Sequence, residues 1–265
     1  MTSAPGPPED GLADWLLIRP EVAWPSWHGS GLVSGAPARD GFRNFFRATR
    51  GGRDREGTAR VLTALDMAFA DAERGRPLTF ALMAKWQRAV LGRGPVGFRQ
   101  MPAFAKGGRE RYGLAPGTRA RFERCLAESD RPDPPLPSRA ARTYLDVLFF
   151  HPFADGNARA AMLALAFVLA REGVLLDRVR PLQTTRWADD AEGAADLAVL
   201  IGILITAAKR RPPLGKQCRT GWPAEEEKGL PSTNEGVEDL SRTTEEISPT
   251  EPPPRAGSDR GTSVP

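Results

Sequence analysis

The stretch "YLDVLFF-HPFADGNAR-AAMLALAFVLA", Tyr144 to Ala170, sets nine polar-rich residues between two apolar runs. A buried polar group without a partner costs about 1–3 kcal/mol. So many of them beside core therefore need each other or a ligand. The run after the insert is apolar nearly all round. That pattern predicts a helix from about Asn157 to Glu172, closed by Gly173, at the centre of the fold. The run before it carries Tyr144, Leu145, Leu148 and Phe149 on one helical face, with Ser138 expected as its N-cap.

The helical period continues outward. Val61, Leu62, Leu65, Phe69 and Ala72 share a face that Gly75 closes, and Leu82, Met83, Trp86, Ala89 and Val90 share another that Gly92 closes. Phe122, Cys125, Leu126 and Ser129 suggest a third helix before "RPDPPLP" (131–137) breaks the chain, and a last core helix covers about 191–208. Only "MPAFAKGGRERYGLAP" (101–116) reads as a hairpin, with Gly107-Gly108 at its turn. The expected class is all-α with one short β-hairpin. Residues 1–57 hold Trp15, Trp24 and Trp27 among Gly and Pro, which suggests an irregular or short-helix N-terminal region packed on the body, and 58–211 form the main domain. Residues 212–265, rich in Pro, Ser, Thr and Glu, bury too little to fold alone and read as a disordered tail.

The chain of 265 residues carries a net charge of +4, unevenly spread. From residue 212 on there are 6 Lys and Arg against 10 Asp and Glu, hence −4, which leaves +8 on the first 211 residues. That charge is diffuse and has no interleaved aromatics, so a solvated surface fits it better than a nucleic-acid stripe. Cys125 and Cys218 make neither a disulfide framework nor a zinc cluster. The start, "MTSAPGPPEDG", shows neither a basic nor an apolar signal region. The runs "LAVLIGILITAA" and "AAMLALAFVLA" fall short of the ~18 residues that cross a bilayer. The expected setting is reducing and cytoplasmic, with no membrane partner.

A loop that ends at a helix N-terminus presents free N–H groups and a partial positive charge, which together suit an anion. Gly156 allows a tight turn and close backbone approach. Asn157 adds an amide, and Arg159 adds a fork of charged donors suited to phosphate. Asp155 would repel an anion unless a divalent cation lay between them, and one carboxylate plus phosphate oxygens is a common way to hold Mg²⁺. His151, one of two histidines, can take a proton from a hydroxyl near neutral pH. Phe153 anchors the loop in the core. Together these describe a phosphoryl-group site; the rival reading is a polar network that caps the buried helix and satisfies itself.

"HPFADGNAR" resembles the signature of Fic-domain proteins, HxFx[D/E]GN[G/K]RxxR. "PVGFRQ" (95–100) is similar to the segment leading into that family's flap, with the flap itself at 101–113. The resemblance covers about residues 58–208. It implies a Fic-type helical domain with a β-hairpin flap, a protein adenylyltransferase that moves AMP from ATP to a Ser, Thr or Tyr hydroxyl of a target protein. It also implies roles: His151 as general base, Asp155 as Mg²⁺ ligand, Phe153, Gly156, Asn157 and Ala158 lining the phosphate-binding loop, and Arg159 on the phosphates. The flap would bind the target by strand addition, and an antitoxin is a further partner that such proteins can have. Two positions depart from the pattern. Ala158 replaces Gly or Lys, and Met162 stands where a second arginine would reach the γ-phosphate. The inhibitory motif [S/T]xxxE[G/N] has no clean match either: "STNEG" from Ser232 has the wrong spacing, and "SRTTEE" from Ser241 ends in Glu246. Loss of that motif together with the second arginine implies a chain that does not inhibit itself in that way.

The alternatives are a relative with another donor (phosphate, UMP or phosphocholine) and a catalytically weak, toxin-like binding module. "GRGPVG" (92–97) fits a dinucleotide-binding glycine pattern, but a helix precedes it and Pro95 interrupts it. His28 has no partner in view and reads as packing or surface. Lys209, Arg210 and Arg211 end the last helix, where positive charge is favourable.

Overall fold

The computed structural model describes residues 10–26, 40–50 and 54–209. Trp27, His28, Cys218, both candidate inhibitory motifs and the whole of 212–265 lie outside the described residues. In chain order the elements are α1 (Gly11–Ile18), α2 (Gly41–Arg50), α3 (Arg55–Glu73), α4 (Phe80–Leu91), β1 (Ala103–Ala105), β2 (Glu110–Tyr112), α5 (Thr118–Ala127), α6 (Leu136–Phe150), α7 (Asn157–Arg171) and α8 (Ala191–Lys209).

The centre is α7. Every residue from Ala160 to Leu169 is buried, and the helix packs against α3, α4 and α6. Full burial of each of its larger side chains, such as Leu163, Leu165 and Phe167, contributes about 1.5–3 kcal/mol. Its position, its start and its end at Gly173 (φ 69) agree with the sequence reading.

The other helix ends follow from local chemistry. Asp54 caps α3 by accepting from the Gly57 N–H at 2.7 Å, and Gly75 (φ 63) follows its end. Thr79 Oγ1 accepts from the Leu82 N–H at 3.2 Å to cap α4, which Gly92 closes in the left-handed region (φ 62). Ser138 is not the cap of α6. That helix starts two residues earlier, with Pro137 in its first turn, where the missing N–H of proline costs nothing. The Ser138 hydroxyl instead donates to the Pro25 carbonyl at 2.8 Å.

Two buried acids tie the helices together. Asp146 interrupts the apolar face of α6, and α1 satisfies it: Trp15 Nε1 donates at 2.9 Å and Arg19 donates two bonds at 2.7 and 2.8 Å. Asp71 of α3 accepts from Trp86 Nε1 of α4 at 2.9 Å. The α8 helix outruns the apolar stretch counted from sequence. By length and composition alone, Ala191–Ala208 could cross a membrane. In the structure it packs on α6, with Leu197, Ala198, Ile201, Leu204 and Ile205 buried and Val199 and Ile203 exposed.

The hairpin forms where Gly107-Gly108 predicted it. Both glycines have positive φ (70 and 84) between antiparallel β1 and β2, and Ala103 pairs with Tyr112, Phe104 with Arg111, and Ala105 with Glu110. On its other side β2 makes a single bridge, Asp10 with Arg111.

Candidate active site

The α6 helix ends at Phe150, and His151 is its C-cap in the left-handed region (φ 46, ψ 57), its N–H bonded to the Val147 carbonyl at 3.2 Å. Glycine usually takes that place, and for another residue the conformation costs about 1–2 kcal/mol. The histidine is therefore kept at a cost to stability. Its Nδ1 bonds the Leu148 carbonyl. A carbonyl only accepts, so Nδ1 carries the hydrogen and Nε2 keeps its lone pair. Burial pushes the imidazole down from its ordinary 6.5 to about 4. Arg99 and Lys106 push the same way, while the Leu148 carbonyl and Glu110 oppose them. At neutral pH the ring is an uncharged base.

The loop behind it is braced from inside. Phe153 is buried and stacks on Phe80, centroids 5.4 Å apart. Asn157 spends its whole side chain on the Phe153 backbone: Oδ1 accepts from the Phe153 N–H at 3.0 Å, and Nδ2 donates to the Phe153 carbonyl at 2.8 Å. The amide read from sequence as a ligand donor thus serves to shape the loop. Gly156 (φ 79) turns the chain into α7, and a Cβ there would lie 2.4 Å from Gln87 Nε2 and 2.9 Å from an Arg159 nitrogen. Gln87, wholly buried in α4, donates to the Asp155 carbonyl at 2.6 Å.

On the other side of the loop Ala154 and Asp155 are exposed. No side chain caps α7, so its first N–H groups are offered outward together with the positive end of the helix dipole. Ala158 is exposed there. The Asp155 side chain is 59% exposed and meets the Arg159 guanidinium only at 3.6 Å. Among the described residues no three His, Cys, Asp or Glu groups gather to hold a metal. A single exposed carboxylate next to groups that can hold phosphate suits Mg²⁺, which is commonly bound by one or two carboxylates plus substrate phosphates. The next turn of α7 lacks a cation. Met162 is buried, and Gln183 Nε2 lies 3.2 Å from its sulfur.

The flap stands over this loop, and Arg99 ties the two together. Its N–H bonds the Pro152 carbonyl at 2.9 Å. Its guanidinium donates to the carbonyls of Phe150 (3.3 Å), Met101 (2.7 Å) and Gly113 (2.5 Å), which joins the end of α6 to both feet of the hairpin. Met101 and Phe104 are exposed on the β1 side. Cys125 is no rival nucleophile, since burial pushes its thiol up to about 12.

The combination of a capping histidine, a braced Phe-Asp-Gly-Asn turn into a buried helix, and a hairpin above it agrees with the result of family comparison. Residues 77–169 match the Fic/DOC family. The matched segment runs from just before the cap of α4 to nearly the end of α7. Among solved structures, IbpAFic2 covalently tethered to Cdc42 is 14% identical with a TM-score of 0.51, over 73% of this chain and 70% of that one. IbpAFic2 has also been solved in complex with adenylylated Cdc42, at 13% identity and a TM-score of 0.48, over 73% and 69% of the two chains. A Fic-domain-containing signaling protein from Bacteroides thetaiotaomicron is 19% identical with a TM-score of 0.46, over 75% and 87%. At 14% identity and a TM-score of 0.51, the likeness to the tethered IbpAFic2 concerns the fold alone. Comparison with curated proteins gives no match.

Gln87 and Arg99 were given no role in the sequence reading. Gln87 left a trace there: a polar residue among Met83, Trp86 and Val90, all facing the core. Arg99 lies within "PVGFRQ", but its bonding does not show there, because its three acceptors are backbone carbonyls.

Proposed function

We propose that this chain is a protein adenylyltransferase that transfers AMP from ATP to a Ser, Thr or Tyr hydroxyl of a target protein. The observation that carries the reading is His151: its Nδ1 hydrogen is committed to Leu148, leaving Nε2 as the basic atom at the head of a loop that leads into an uncapped helix start. In the proposed reaction Nε2 takes the hydroxyl proton as the oxygen attacks the α-phosphorus. The bond from that phosphorus to the bridging oxygen breaks, and pyrophosphate leaves. The N–H groups at the start of α7 and the Arg159 guanidinium would hold phosphate oxygens, supplying charge stabilisation where negative charge shifts. Asp155 would hold Mg²⁺, which when bound neutralises phosphate charge and orients the leaving group. The negative charge of a bound nucleotide would also raise the His151 pKa towards neutrality, where a general base works best. The outer edge of β1, with Phe104 and Met101 exposed, would take the target's backbone as an added strand, holding its hydroxyl in place.

Met162 supports a second reading. With a buried thioether in place of a cation one turn along α7, the far phosphates have one fewer positive partner. Transfer of another group, UMP, phosphocholine or a phosphate, is the alternative. Incubating the full chain and Mg²⁺ with cell lysate and α- or γ-labelled ATP separates the two. Label from the α position alone, lost in His151→Ala, is expected. Label from γ alone would make it a kinase. No label from ATP, with transfer from UTP or CDP-choline, would establish the other donors.

A further inference from the structure

The Tyr112 ring lies almost flat on the His151 imidazole, centroids 4.4 Å apart and planes at 21°. Tyr112 belongs to β2, 39 residues before the histidine, and its ring is buried. We infer that Tyr112 is a positioning residue for His151: together with the Leu148 carbonyl it fixes the plane and the tautomer of the imidazole, so that the flap mounts the base as well as receiving the target. This rests on His151 being the base.

The ring turns only about its Cβ–Cγ bond, and the bond from Nδ1 to Leu148 restrains that turn from the edge. The phenol ring stacked on one face opposes the same turn and the flip that would exchange the two nitrogens. Tyr112 is in turn anchored. Its hydroxyl donates to Glu110 two residues earlier on the same face of β2. Glu110 is buried, accepts from the Ala188 N–H at 3.1 Å and forms an ion pair with Lys106 from the hairpin turn. Lys106 Nζ sits 4.0 Å above the Trp187 ring. The anchor therefore reaches beyond the hairpin to the 187–188 segment.

Glu110 is itself well partnered, by the Tyr112 hydroxyl, the Ala188 N–H and Lys106, so it can stay buried as a fixed post at the far end of the ring. Burial, followed by the Glu110 contact, raises the Tyr112 hydroxyl pKa, so it stays protonated and donating. The charged groups facing the imidazole are Arg99 from the segment before β1, Lys106 from the turn and Glu110 from β2. Deleting the ring exposes the imidazole to water without removing any of the three.

The test is ¹⁵N NMR of the histidine rings in the full chain. There are only two histidines, and His151→Ala assigns the signal. In the wild type a single Nδ1–H tautomer is expected that resists protonation down to about pH 5, well under the ordinary value. Tyr112→Leu should show a mixture of tautomers, a titration midpoint moved up towards 6.5, and a fall in kcat of about tenfold with KM for ATP unchanged. Tyr112→Phe should keep the tautomer and most of kcat, rescuing through the ring alone. Glu110→Gln, which keeps a hydrogen-bond acceptor for the Tyr112 hydroxyl, should behave like Tyr112→Phe. Mixed tautomers or a free midpoint near 6.5 in the wild type would overturn the inference even if Tyr112→Leu failed to fold. So would a folded Tyr112→Leu with one tautomer and unchanged kcat. The ring spectra need no nucleotide, so a failure of ATP transfer in the wild type would count against the adenylyltransferase reading and leave this result standing.

Discussion

The signature loop and the flap face the same imidazole but are built in opposite ways. The loop, His151–Arg159, carries its own stitches in addition to the braces from Gln87, Arg99 and Phe80. Nδ1 of His151 reaches back three residues to Leu148, and Asn157 reaches back four to both polar groups of Phe153. The flap has three residue pairs and a small cluster of its own, Lys106 and Tyr112 on Glu110. Distant partners hold it: Arg99 to Phe150, Glu110 to Ala188, and the Gly113 N–H to Asp10 at 2.8 Å. A two-stranded hairpin alone is marginal in water, so its shape belongs to the rest of the fold. A locally closed loop should be rigid with or without substrate. A remotely held hairpin can respond to a target strand or to any change at its anchors.

The sharpest break in this comparison is chemical. His151→Ala should lower transfer by about 10²–10⁴-fold, because it removes the proposed base, and melting temperature should show that the fold is kept. Asn157→Ala comes next. It strands the buried N–H and C=O of Phe153, so chemical denaturation should report a loss of about 2–4 kcal/mol, and activity should fall through loop collapse. Equal stability in that variant would mean the loop is not self-braced.

Arg99→Met tests the other side. It removes three donors to carbonyls at the feet of the hairpin, and hydrogen exchange should rise strongly over 101–113 while α7 stays protected. Uniform exchange changes across both regions would erase the distinction drawn here. Acid titration gives a smaller effect. His151 holds a lowered pKa in the fold, so the unfolded chain takes up its proton first as pH falls. Its contribution is complete above about pH 6.5 and is lost progressively as pH drops to about 4, to a total of at most ~3 kcal/mol. His151→Ala should flatten that part of the stability profile, whatever it does to stability at pH 7.

The same contrast explains how much the sequence revealed. Features encoded within a few residues were legible: the buried α7, the helix ends at Gly75, Gly92 and Gly173, the hairpin turn at Gly107-Gly108, and the signature loop itself. The missed ones depend on separation in the chain. Asp146 sits openly in "YLDVLFF", yet its partners Trp15 and Arg19 come from α1, far upstream. Gln87 holds the Asp155 carbonyl 68 residues away. The start of α6 was placed late because prolines were read as a break, although the first turn of a helix accepts them. Asn157 was seen as a donor to a ligand, but only coordinates reveal that both ends of its amide are already engaged.

A crystal structure of the full chain with Mg²⁺ and an ATP analogue that cannot be cleaved between the α and β phosphates tests the central claim most directly. The account predicts phosphate oxygens on the first N–H groups of α7 and on Arg159, the metal on Asp155, and His151 Nε2 facing the side of the α-phosphorus opposite the leaving group. Nucleotide bound elsewhere, or an imidazole turned with Nε2 away from the phosphates, would contradict it.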